Sequence, residues 1–135
     1  MVIVMVSLLL CLALLIDVAP AISQTLASVM PDKPINCETF QAHLDHAIID
    51  WAKHKETHLI LIARLGTGEK DHRLSRARLV YIEDYLKSHE VRYLLAEGSR
   101  VKGFGRLEVY VGGRLAMSIP IVKGATRLCT GGAGD

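Results

Sequence analysis

Aromatic residues are scarce, at 5% of the chain, with two phenylalanines and one tryptophan. Charge of one sign is equally scarce: 16 Lys and Arg face 14 Asp and Glu, leaving a net charge of +2. Nucleic-acid modules concentrate many basic residues on one face and stack bases on aromatics. Here only Phe104 and Tyr110 lie near the basic stretch Arg100 to Arg106, so nucleic acid is not an expected partner. None of the three cysteines has a second cysteine close along the chain, which removes the zinc-knuckle patterns. The GxGxxG fingerprint, the Walker lysine loop and HExxH are absent too. No cofactor is expected, no nucleophile–base pair can be assigned, and a non-enzymatic role is the expectation.

What is present is unevenly placed. From Val2 to Ile16 the only residue that is not apolar is Ser7, and Asp17 closes the run. About fifteen apolar residues fall short of the ~20 that span a bilayer and match a secretory signal core. Small residues at Ala19 and Ala21, or at Ala21 and Ser23, suit cleavage, although no Lys or Arg precedes the run. The expected organisation is a signal segment 1–23, a Pro-containing leader 24–36, one domain over 37–129 and a flexible tail 130–135. Cleavage leaves no stable membrane span and implies a periplasmic or secreted protein. It also leaves two cysteines, Cys37 and Cys129, which pair readily in an oxidising compartment and would close a loop of roughly 90 residues.

The domain reads as α+β. A helix is expected from Cys37 to Lys55, capped by Asn36, with Phe40, Leu44, Ala47, Ile48 and Trp51 as its buried stripe. His46, Asp50 and His54 follow one another at four-residue intervals beside that stripe, which offers a metal-binding alternative. Leu59 to Ala63 is a continuous apolar run, expected to be a central strand covered on both faces or flanked by partners. A loop with Gly66, Glu69 and Asp71 leads to a second helix from about His72 to Ser88. Its apolar arc is expected to comprise Leu74, Ala77, Tyr81, Ile82, Tyr85 and Leu86, with Arg78 inside it. A guanidinium cannot deprotonate, so Arg78 must snorkel outward, pair with a carboxylate or meet a ligand anion. The candidate carboxylates are Glu69, Asp71, Glu97 and Glu108.

Val91 to Ala96 is a second strand, parallel to the first across the helix. Arg106–Val111 and Arg114–Ile119 form a hairpin on Gly112-Gly113, with Tyr110 opposite Leu115 and Glu108 opposite Met117. Pro120 marks an edge strand or its end and leaves a margin that could accept a further strand. The expected architecture is a two-layer sandwich: a small mixed sheet of about four strands, built from a βαβ unit plus the hairpin, with two helices on one face.

Leu74-Ser75, Arg78 and Tyr85-Leu86, with Gly66 eight residues before Leu74, resemble the OmpA-like family motif TDxxGxxxxNxxLSxxRAxxVxxYL. Arg106-Leu107-Glu108-Val109 is similar to that family's later RVEI strand. Alignment on the LS pair puts Ala63 at the family's ligand-binding Asp and Asp71 at its Asn. The resemblance covers about residues 59–111 and implies a distant relative of a peptidoglycan-associating domain in the bacterial envelope. It further implies an anionic ligand received near Arg78, with Gly66, Glu69 and Asp71 alongside. The expected partners are peptidoglycan or another envelope protein.

Overall fold

The computed structural model of the protein describes residues 29–131. The expected signal segment, the first part of the leader and the tail from 132 onward lie outside the described residues.

Helix α1 runs Cys37–Trp51, and the Asn36 side chain accepts the Thr39 N–H at 2.8 Å. Phe40, Leu44, Ala47 and Trp51 are buried, while Ile48 is half-buried at the rim of the stripe. The helix stops at Trp51, not Lys55. Past that point the N–H groups of Lys53 and His54 reach only three residues back, and the Trp51 indole donates to the Thr57 carbonyl at 3.1 Å. That bond folds the chain back toward β1, Leu59–Arg64.

The apolar run in β1 is central but covered on one face. Leu59, Leu61 and Ala63 are fully buried, whereas Ile60 and Ile62 are half-buried on the opposite side. Helix α2 spans His72–Lys87 and is capped by Asp71, which accepts the Arg73 N–H at 2.9 Å. It leads to β2, Tyr93–Glu97, parallel to β1 with Leu61 beside Leu95. Strands β3, Gly105–Val111, and β4, Arg114–Ile121, form the Gly112-Gly113 hairpin. The sheet order is β2-β1-β3-β4, with β3 antiparallel to both its neighbours.

One sheet face presents Leu59, Leu61, Leu107, Val109, Met117 and Ile119, which share a core with Phe40, Leu44 and Trp51 of α1 and with Ile82 and Leu86 of α2. Both helices therefore lie on one face of an open four-stranded mixed sheet. The fold is a small two-layer α+β sandwich, as the pattern predicts.

Three details depart from the sequence reading. Tyr110 lies opposite Leu115, but Glu108 lies opposite Ser118 because a bulge between Val109 and Tyr110 absorbs one residue of β4. The β4 margin is occupied by the chain itself: the Val29 N–H donates to Ala116 O at 3.1 Å, and the Ser118 N–H donates to Val29 O at 2.9 Å. Alternation along β4 aims the Pro120 nitrogen outward like that of Ser118, so the missing donor costs nothing in the ladder with β3. The buried residues of α2 are Ser75, Arg78, Leu79, Ile82 and Leu86. The helix is thus rotated so that Arg78 sits at the centre of the contact and Tyr81 is exposed.

Cys37 and Cys129 form a disulfide with a Cα–Cα distance of 4.8 Å and a sequence separation of 92. It fastens the start of α1 to a C-terminal strap, residues 122–130, that follows β4. The Cys37 N–H donates to Thr130 O and the Thr130 N–H to Ile35 O, reinforcing the junction. Among the described residues no helix is long and apolar enough to cross a membrane.

Candidate functional site

Four residues singled out by sequence, Gly66, Glu69, Asp71 and Arg78, stand at the junction of β1 and α2. Three of them form one internal knot. Arg78 has no solvent exposure and meets Glu69 end-on: Nη1 donates to Oε2 at 3.0 Å and Nη2 to Oε1 at 2.6 Å. Its Nε donates to the Ala125 carbonyl at 2.9 Å, and Nη2 reaches the Val122 carbonyl at 3.5 Å. Glu69 in turn accepts the Gly66 N–H at 2.7 Å on Oε2 and the Gly124 N–H at 2.8 Å on Oε1. A buried ion pair needs its leftover donors and acceptors matched as well, and here all three guanidinium nitrogens and both carboxylate oxygens have partners.

The knot ties three separate segments: the loop after β1, the middle of α2 and the strap. Two glycines make room for it. A Cβ on Gly105, at the start of β3, would lie 2.6 Å from both Arg78 Nη1 and Glu69 Oε2. A Cβ on Gly66 would collide with the backbone of Gly103 to Gly105.

Chemically the arrangement is closed. The anion that Arg78 requires is supplied by this chain's own Glu69. Ala63 is fully buried in the sheet's inner face. Asp71 is exposed and caps α2, and the Arg73 N–H bond holds its carboxyl below the usual range. A recess of about 220 Å³ lined by Thr67, Phe104 and Lys123 touches Glu69, but both carboxylate oxygens are already engaged.

Burial alone would raise the Glu69 carboxyl. Hydrogen bonds from Arg78, Gly66 and Gly124, with the guanidinium charge, outweigh it and bring the value from 4.5 down to about 2. Because the folded-state value is depressed, the stabilisation is fully present above about pH 4.5 and is lost as pH falls toward about 2, amounting to about 3 kcal/mol. Denaturation midpoints measured from pH 5 down to pH 2 should fall accordingly. A Glu69→Gln variant should lack this component of the slope.

The histidine flank does not converge. Asp50 turns to Lys53 at 3.5 Å, and His54 lies beyond the helix end, facing Glu56 at 3.9 Å. Four-residue spacing stacks side chains only while the helix continues, and here it stops at Trp51. Among the described residues no group of three or more His, Cys, Asp and Glu side chains could hold a metal ion.

Sequence reasoning passed over a surface that the knot itself creates. The strap, held by Arg78 on one side and by Cys129 on the other, lies beside the outer face of α2. Between them runs an open groove of about 600 Å³ lined by Arg73, Arg76, Val80, Tyr81 and Asp84 on the helix and Arg127 on the strap. Val80 is 51% exposed and Tyr81 38%, so apolar surface is flanked by three arginines. Arg73 touches Asp71 at 3.4 Å and Asp84 is drawn to Lys87 at 3.8 Å. Among the described residues Arg76 and Arg127 are in no ion pair. The spacing of Arg73, Arg76 and Val80 is visible in sequence. A helical wheel centred on Tyr81 as core turns that stripe to the boundary and hides it.

No protein-family model, no curated protein and no solved structure matches the chain.

Proposed function

We propose that the protein is an exported, non-enzymatic binding module that holds an acidic segment of an envelope protein in the groove between α2 and the strap. The observation that carries this reading is that Arg76 and Arg127, in no ion pair among the described residues, share one recess with exposed Val80 and Tyr81. An extended acidic chain with apolar side chains would complement both features. Arginine and aromatic residues are the types enriched at interface centres. The signal-like segment and the disulfide support export, with the periplasm or the exterior as the destination. The resemblance to OmpA-like domains supplies the envelope setting, while the sealed state of Arg78 shifts anion reception to the surface arginines.

The test is fluorescence anisotropy with a labelled acidic peptide carrying apolar side chains, comparing wild type with Arg76→Glu/Arg127→Glu. The charge reversal should weaken binding at least about tenfold, and added salt should weaken wild-type binding. Both residues are exposed, so the denaturation midpoint should hardly move. Equal affinity in the two proteins would overturn the reading. Co-sedimentation with isolated peptidoglycan is the second arm: wild-type capture that the reversal abolishes, without peptide binding, would identify the cell wall as the partner.

A further inference from the structure

The end of the sheet where β1, β2 and β4 finish gathers exposed apolar and basic side chains from separate segments. Gly105 and Ile121 face each other in the β3–β4 ladder, so Phe104 and Val122 lie just beyond the same strand ends. Val29 runs parallel to β4 beside Met117 and carries Met30 toward that end, where Met30, Lys102 and Phe104 line one recess. Phe104 and Lys123 line a second. Met30 is 58% exposed, Phe104 43% and Val122 42%. Single apolar side chains in water are ordinary, but a cluster of them from three segments marks a surface that a partner covers.

The same end has been cleared of negative charge. From Gly98 to Gly134 the sequence holds six Lys and Arg and one acidic residue, Glu108. Glu108 is neutralised by Arg64, whose Nε lies 2.9 Å from it, and the nearby Glu69 is neutralised by Arg78. Lys70, Arg100, Lys102 and Lys123 are exposed in the loops here, and among the described residues none of them is in an ion pair. Asp32 is the exposed carboxylate beside Met30, and Lys33 follows it. Asp71 and Glu97 lie against Arg73 and His72.

We propose that this end of the sheet is a peripheral docking face for an anionic lipid bilayer. Phe104, Val122 and Met30 enter the headgroup layer, and Arg100, Lys102 and Lys123 meet lipid phosphates. Affinity for such a surface grows with the apolar area buried at the interface and with attraction to anionic headgroups, and both features stand here on the same loops. A bilayer receives apolar side chains from separate loops without a matching groove, which a protein partner would require. Nucleic acid would leave Met30 and Val122 without a counterpart. The proposal does not rest on the α2 groove, which none of these six residues lines.

The experiment is co-sedimentation of the disulfide-bonded protein with phosphatidylcholine vesicles, with and without phosphatidylglycerol. Whatever front segment the purified chain carries is common to every variant. Wild type should be captured by the phosphatidylglycerol vesicles and released by salt. Lys102→Glu/Lys123→Glu should weaken capture at least about tenfold, because each Lys near an anionic surface adds to the affinity. Arg92→Glu/Arg114→Glu makes the same change in net charge at the opposite end of the sheet, a strand's length away and past the screening distance, and should weaken it less than about threefold. Phe104→Ser/Val122→Ser should weaken it at least about fivefold through lost apolar burial. All six positions are exposed, so unfolding midpoints should stay close to wild type. No capture of wild type, or equal losses in the two charge-reversed pairs, would overturn the face. Undiminished capture of Phe104→Ser/Val122→Ser would overturn the insertion of apolar side chains. Capture by phosphatidylcholine alone that no substitution changes would assign binding to the front segment and overturn the proposal as well.

Discussion

Replacing Arg78 by Met should destabilise the protein by about 3–5 kcal/mol, the size expected when one partner of a buried ion pair is removed. Typical domains hold only about 5–15 kcal/mol in total, so this variant should be near its folding limit. Methionine fills much of the volume and adds no charge, which isolates the electrical loss. Glu69 would be left 4% exposed with only the Gly66 and Gly124 N–H groups to compensate it. The Ala125 carbonyl would lose its donor, and with it the strap would lose its main polar link to α2. Denaturant unfolding gives the magnitude. Hydrogen exchange gives the location: the Gly124 amide, bonded to Glu69, should exchange markedly faster, while amides of β1 and β3 should track only the global loss. A variant that unfolds within about 1 kcal/mol of wild type would show that the pair is dispensable.

Removing the disulfide should have an effect of similar size. The Cys37→Ser/Cys129→Ser double variant frees a loop spanning 92 positions, and the chain-entropy model assigns such a closure about 4–5 kcal/mol. The bond also ends the strap whose middle the knot secures. With the knot intact, the reduced chain should therefore stay folded but fray from Leu128 outward, and the Asn36–Thr130 bridge should open first. Denaturation with and without reductant checks the magnitude. Protection of the Cys37 and Thr130 amides checks the direction. A loss under about 1 kcal/mol would mean that the unfolded chain already keeps its ends together.

Much of this architecture is legible in the sequence, because the relevant signals are local. The stripe Phe40, Leu44, Ala47 and Trp51, the Asn36 and Asp71 caps, and Gly112-Gly113 each specify one element by period or by turn chemistry. The two cysteines left after the apolar front segment specify the bridge. What sequence leaves open is decided by contacts between distant residues. Four carboxylates could have answered Arg78, and the choice of Glu69 depends on the Gly66 turn, the Gly105 gap and the Gly124 N–H, 55 positions away. The face of α2 turned accordingly, since burying Arg78 with a matched partner displaces Tyr81 to the surface. The bulge that shifts Glu108 onto Ser118 has no turn residue to announce it. Val29 on the β4 edge follows from an isolated bridge with no periodic pattern behind it. The candidate site suffered most: its groove is lined by segments remote in sequence, the helix on one side and the strap on the other.

The Arg78–Glu69 pair decides whether the interior arginine is architecture or receptor, and a double-mutant cycle measures that directly. Arg78→Met, Glu69→Gln and the double variant would be unfolded in denaturant at neutral pH. If the pair is the internal tie described, the single losses should exceed the double by a coupling of at least about 2 kcal/mol. Additivity within about 0.5 kcal/mol would mean that the two side chains do not depend on each other, and that Arg78 is held for something else.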